Sequence, residues 1–259
     1  MTPTFTLASL APALPEIYLA AAICVVLLVD VFAGKAAARI TPTLTLITLG
    51  VGAALTLAYA QVSAPVELFS GMYIADPLGT LLKLLCFLFV AVALLYSRHY
   101  LEARELAKGE YYVLVLSAVL GIFVMISAGS LLTMYMGIEL LALSLYALVA
   151  TDRDSGVAAE SAMKYFVLGA IASGCLLYGM SLVYGLSGTL LFSELAVSLQ
   201  GEPSLGLIMG VVFVVVGIAF KFGAVPFHMW VPDVYHGAPS AVTLFVATAP
   251  KIASFALAF

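Results

Sequence analysis

GVVFVVVGIAFKFGAVPFHMWVP, residues 210–232, decides the fold. Its first half, Gly210 to Phe220, holds no polar side chain and starts as a membrane-spanning helix. The run then meets Lys221, and Pro226 and Pro232 follow. A proline removes a backbone donor and clashes with the preceding turn, so the segment cannot continue as one straight helix. A break is expected beside Lys221-Phe222-Gly223. Non-helical backbone at membrane depth is tolerated only where it is buried in protein or lines a wet cavity, and transporters place such breaks at midplane sites.

The rest of the chain agrees with a membrane setting. Of 259 residues, 64% are hydrophobic and 9% charged, against about 25% charged in a soluble domain, and mean hydropathy is +1.18. The fold class is therefore an all-α polytopic membrane protein. The net charge of -4 is spread among the loops. No basic stripe with interleaved aromatics is present, which excludes nucleic acid as a partner and leaves the lipid bilayer. Cys24, Cys86 and Cys175 lie in separate apolar runs without ligand spacing and read as packing residues rather than a disulfide or metal set. The first apolar run lacks a basic leader and a small-residue cleavage site, and reads as a retained helix.

A span needs about 20 mostly apolar residues. That requirement predicts about eight, over 13–33, 41–62, 77–97, 111–128, 130–150, 160–186, 204–235 and 240–259. Lys35, Arg39, Arg98, Arg104, Lys108 and Arg153 all fall in the first, third and fifth connections. By the positive-inside rule those connections are cytoplasmic and the N-terminus faces the other side. The second connection, with Pro65, Gly71 and Val66-Glu67-Leu68-Phe69, suits an outward-facing hairpin. The sixth, from Gly188 to Pro203, suits a short interfacial helix carrying Leu191, Phe192, Leu195, Val197 and Leu199. Gly169, Ala170, Ser173, Gly174 and Gly179 in the sixth span read as helix-packing residues.

The other four cations, Lys83, Lys164, Lys221 and Lys251, sit within spans. An ammonium there costs roughly 2.5–3.5 kcal/mol on insertion scales, so each needs a reason, and the default reason is movement of ions or protons. Glu139 lies about 14 Å into the fifth span, near its middle. Tyr135 and Tyr146 stand four before and seven after it. Lys251 is about 16 Å into the last span, too deep to snorkel easily. Lys221 reads either as a site residue or as a cap on the broken helix, with His228 seven positions on and on the same face if the helical path resumes at once. Lys164 and Lys83 lie nearer the two surfaces, and Lys83 is read as structural. At an effective dielectric of about 20, parting an acid and an ammonium from about 4 to about 8 Å weakens their attraction from about 4 to about 2 kcal/mol, so small movements can load or release a proton. There is no Cys-x-x-Cys, no Gly-rich phosphate loop and no haem attachment site, and electron transfer is expected elsewhere.

Three stretches carry a resemblance: Met136-Gly-Ile-Glu139-Leu-Leu-Ala-Leu-Ser-Leu-Tyr146, Ala162-Met-Lys164-Tyr-Phe-Val-Leu-Gly169, and Phe220-Lys221 through Pro226, His228, Trp230 and Asp233 to Ser240. In these the chain resembles the antiporter-like membrane subunits of respiratory complex I. The resemblance implies a proton-translocating, non-redox subunit of an NADH:quinone oxidoreductase, with Glu139, Lys164, Lys221, His228 and Lys251 as its proton relay. It implies no cofactor or metal on this chain, with NADH and quinone used at the level of the complex, and other complex I membrane subunits as partners in a bacterial inner membrane. It divides the chain into residues 1–110, with the first three spans, and 111–259, the first antiporter-like bundle, with the inverted second repeat expected after Phe259. A stand-alone cation/proton antiporter and a truncated assembly scaffold are the rival readings.

Overall fold

The computed structural model describes residues 7–59, 65–198, 200 and 204–257. Parts of the expected connections, residues 60–64, Leu199 and Pro203, and Phe259 at the end of the expected eighth span lie outside them.

A 3-10 segment, Leu7–Ala13, leads into helix α1, Leu14–Ala33. Helix α2 covers Ala37–Ala58. Strands β1 (Val66–Leu68) and β2 (Tyr73–Ala75) pair antiparallel, with Glu67 opposite Ile74, so the expected hairpin is present. Helix α3 runs Pro77–Ala103, α4 Gly109–Ile126, α5 Leu131–Val149 and α6 Gly156–Ser187. Helix α7, Phe192–Ser198, is the short helix expected in the sixth connection. Helix α8, Leu205–Phe222, ends where the break was expected, α9 covers Trp230–Gly237, and α10 covers Ser240–Ala256. Among the described residues, seven helices are long and apolar enough to cross a membrane. The eighth expected span corresponds to α10, whose 17 described helical residues fall short of that length.

Local chemistry sets the helix starts. Asp76, Ser130, Ser155 and Ser204 each accept a hydrogen bond from the backbone N–H three residues on, capping α3, α5, α6 and α8. Pro77 follows the Asp76 cap, where a missing N–H costs nothing.

Helix α4 is the hub, packed by α1, α2, α3, α5 and α10, while α6 packs on α8 and α9, and α5 joins the two groups. Val115, Leu116, Val119, Ile122 and Phe123 of α4 are fully buried. Glycines allow the closest contacts. A Cβ on Gly121 of α4 would stand 2.7 Å from the Leu141 nitrogen of α5, and one on Gly179 of α6 would stand 2.7 Å from the Gly210 carbonyl oxygen of α8. Gly179 thus fulfils the packing role read from the sequence, whereas Gly174 faces open space. Large apolar side chains such as Phe32, Leu95, Met163 and Val215 stand outward, as in a bundle solvated by lipid.

The two ends of the bundle differ. At one end Arg153 pairs with Glu110 at 2.6 Å, and Arg98 with Glu102 at 2.8 Å. At the other, the β-hairpin is tied to the α4–α5 turn by Ile74 N–H to Ser127 O (2.8 Å) and Gly129 N–H to Met72 O (2.9 Å).

Candidate functional site

Helix α8 leaves helical geometry at Gly223, whose φ of 69° is left-handed, and no regular helix resumes before Trp230. A break strands carbonyls that must find donors. Ala219 O accepts from Ala224 N–H at 2.9 Å. Phe220 O accepts from Gly223 N–H and from the Trp230 indole N–H, each at 2.9 Å. Phe222 O accepts from the Lys251 ammonium of α10 at 3.0 Å. The cap on the broken helix is therefore Lys251, and the negative end of the α8 dipole favours a cation there.

Lys221 is free of that duty. Its ammonium is buried, has no hydrogen-bond partner among the described residues, and lies 5.9 Å from the centre of the Tyr146 ring. Lys221 and Lys251 line one small cavity of about 30 Å³, together with Tyr165, Trp230, Ser254 and apolar side chains of α5. Tyr165 stacks on Trp230 with centroids 4.7 Å apart and meets Tyr146 edge-on at 4.7 Å. This aromatic wall fixes the shape of the cavity.

Glu139, in the middle of α5, accepts a hydrogen bond from Ser173 of α6 at 2.5 Å. Among the described residues it forms no ion pair with the Lys221 ammonium. The Tyr146 hydroxyl, also buried, has no partner among the described residues and abuts Gly169 of α6.

The other two expected residues lie apart from this cavity. Lys164 is about half exposed and pairs with Glu160 one turn back (2.9 Å) and with Asp233 of α9 (3.2 Å). His228 is exposed within the break and does not line the cavity. The shared face with Lys221 depended on the helical path resuming quickly, and seven non-helical residues, 223–229, intervene between α8 and α9. Sequence reading missed Ser173, which stood in the stripe of small residues, and gave no role to Asp233 or Trp230, although both stood in the quoted motif. Trp230 is the only tryptophan in the chain, a signal that was available. Among the described residues no three of His, Cys, Asp and Glu gather as metal ligands would.

Residues 128–259 match the family model described as NADH:quinone oxidoreductase/Mrp antiporter, transmembrane. NADH-quinone oxidoreductase subunit N of Thiobacillus denitrificans is 54% identical over 258 residues, 99% of this chain and 53% of that protein. Its counterpart in Nitrosomonas europaea is 51% identical over 97% of this chain and 52% of its own length. The chain thus spans about half the length of the relatives it matches. A chain of respiratory complex I from Thermus thermophilus superposes with a TM-score of 0.77 at 32% identity, over 93% of this chain and 52% of that one. A chain of the Mrp complex from Dietzia sp. shares the fold at a TM-score of 0.78 and 22% identity, over 96% of this chain and 47% of that one. With its broken helix, two lysines on one cavity and a mid-membrane glutamate, the chain belongs to the NADH:quinone oxidoreductase/Mrp antiporter transmembrane family.

Proposed function

We propose that this chain serves as the proton-translocating, non-redox membrane part of an NADH:quinone oxidoreductase, moving protons while NADH oxidation and quinone reduction proceed on other subunits. The observation that carries the reading is the shared cavity of Lys221 and Lys251, walled by α5, the helix that bears Glu139. Relatives named NADH-quinone oxidoreductase subunit N support it. The partners are then the other membrane subunits of complex I, in a bacterial inner membrane. The loop cations support an orientation with the end bearing Arg98, Arg104 and Arg153 in the cytoplasm and the N-terminus on the outer side. Residues 1–110 form a flanking unit and 111–259 the bundle that carries the path.

The geometry supports a path through these residues. Lys164, held by Glu160 and Asp233, receives protons at the cytoplasmic end. Lys221 is the switch: its stabilisation depends on how near the Glu139 carboxylate lies, and a movement of a few Å changes that attraction by about 2 kcal/mol. Lys251 takes the proton across the cavity, and its hold on Phe222 O ties its position to the break in α8. His228 joins the path when the break turns its imidazole inward.

The test is Lys221→Ala in the full-length parent protein, in membranes containing the assembled complex. Loss of NADH-driven proton pumping with assembly intact is expected. Normal pumping and turnover would remove Lys221 from the mechanism and favour the scaffold reading.

A further inference from the structure

A second buried acid–lysine pair lies at the hairpin end, away from the Lys221–Lys251 cavity. Glu16, in the first turn of α1, and Lys83, in the second turn of α3, are 8% and 5% exposed and stand 2.5 Å apart. Tyr73 of β2 closes the cluster: its hydroxyl accepts from the Lys83 ammonium (3.2 Å) and lies within hydrogen-bond reach of Glu16 Oε2 (3.1 Å) and Pro12 O (2.9 Å). Ser127, ending α4, donates to Glu16 Oε1 at 3.4 Å. Lys83 also lines a small cleft of about 20 Å³ whose wall carries Asp76, Tyr59, Thr56, Thr80 and Ser127. One carboxylate oxygen of Asp76 is engaged by the Gly79 N–H in capping α3.

Holding the hairpin in place does not call for these charges. Backbone hydrogen bonds already join it to the α4–α5 turn. A buried ion pair is a poor fastening, since apolar residues of similar volume serve as well or better. An ionisable pair kept within a membrane protein, beside a polar cleft, points instead to proton handling.

We propose that Glu16 and Lys83 form a second proton-exchange site, open through the Asp76–Tyr59 cleft to the hairpin end of the bundle. The proposal rests on the proton-translocating reading above. In the exchange an N–H bond of the Lys83 ammonium breaks and an O–H bond forms on Glu16 Oε1, which converts the ion pair to amine and carboxylic acid with no change of net charge. The cleft then either delivers a proton to the amine or takes one from the acid. The ionisable groups facing the pair are Tyr73 from β2 and, across the cleft, Asp76 of the α3 cap and Tyr59 after α2.

Lys83→Arg separates this role from a structural one, because a guanidinium keeps the ion pair but does not give up its proton. It is made in the full-length protein within the complex, beside Lys221→Ala, and read by assembly, quinone reductase rate and NADH-driven pumping. The expected result is an assembled, turning-over complex whose pumping is lost. Wild-type pumping in Lys83→Arg overturns the inference. If Lys221→Ala has lost pumping in the same membranes, the functional reading stands alone. If Lys221→Ala pumps normally as well, both fall. Should Lys83→Arg not assemble, the neutral double variant Glu16→Gln/Lys83→Met decides. Assembly without pumping supports the site, while wild-type pumping, or failure of this variant too to assemble, identifies the pair as structural and overturns it.

Discussion

At the scale of single residues, the arrangement around Lys221 depends on Gly169. The Tyr146 hydroxyl presses on that glycine, and the Tyr146 ring lies under the ammonium. A methyl at position 169 must push the ring aside, and overpacking of this kind costs about 1–3 kcal/mol. Gly169→Ala is therefore expected to lower the thermal midpoint of the detergent-solubilised full-length protein. Adding Tyr146→Phe removes the nearest colliding atom, and the buried hydroxyl has no hydrogen bond among the described residues to lose, but the ring carbon Cζ stays 2.6 Å from the new methyl, so the double variant should recover only part of the loss. A double variant no more stable than Gly169→Ala would show that the hydroxyl is not the obstacle. The charged residues of this site were legible in the sequence because a lysine or glutamate inside an apolar run stands out. Ser173 was not, since a serine among glycines and alanines has the same local signature whether it packs or donates to a carboxylate. Glu16 was hidden differently: it stands at the start of its helix, where a carboxylate looks solvated, and only the fold brings Lys83 to it.

Among the elements, the break between α8 and α9 is the most constrained. Gly223 sits at φ 69°, and a Cβ there would stand 2.9 Å from Val231 Cγ2 and 4.0 Å from Lys251 Nζ. Left-handed backbone costs an L-residue about 1–2 kcal/mol. Gly223→Ala should therefore destabilise the protein by about that much and shift the Lys251–Phe222 contact, lowering pumping more than assembly. Equal pumping per assembled complex would separate the break from proton transfer. The two prolines and the length of the seventh segment foretold this break to within a residue. They did not tell how many residues stay non-helical after it, and that number decides where His228 points. Periodicity places a residue on a face only while a helix lasts, and the condition for a shared Lys221–His228 face, a quick return to helix, is not met where the hydrogen-bond ladder is interrupted over residues 223–229.

For the molecule as a whole, one asymmetry orients everything else: arginine ion pairs gather at one end, and the hairpin with the Glu16–Lys83 cluster occupies the other. Hydropathy alone located every long helix, because a lipid-solvated bundle writes its spans as uninterrupted apolar runs. Its assembly around α4 was not legible, since contacts such as Gly121 on α5 join residues whose pairing no local pattern specifies. The orientation rests on the loop cations and is open to direct measurement. In a full-length background with Cys24, Cys86 and Cys175 replaced, single cysteines at two exposed positions, Glu67 of the hairpin and Arg153 of the α5–α6 turn, report the two ends. A membrane-impermeant maleimide added outside intact spheroplasts should label Glu67→Cys and spare Arg153→Cys, while inverted vesicles should give the opposite pattern. The reverse result would place Lys164 and Asp233 at the outer surface and the Glu16–Lys83 site toward the cytoplasm. It would exchange the entrance and exit of the proposed path while leaving the Lys221–Lys251 cavity between them.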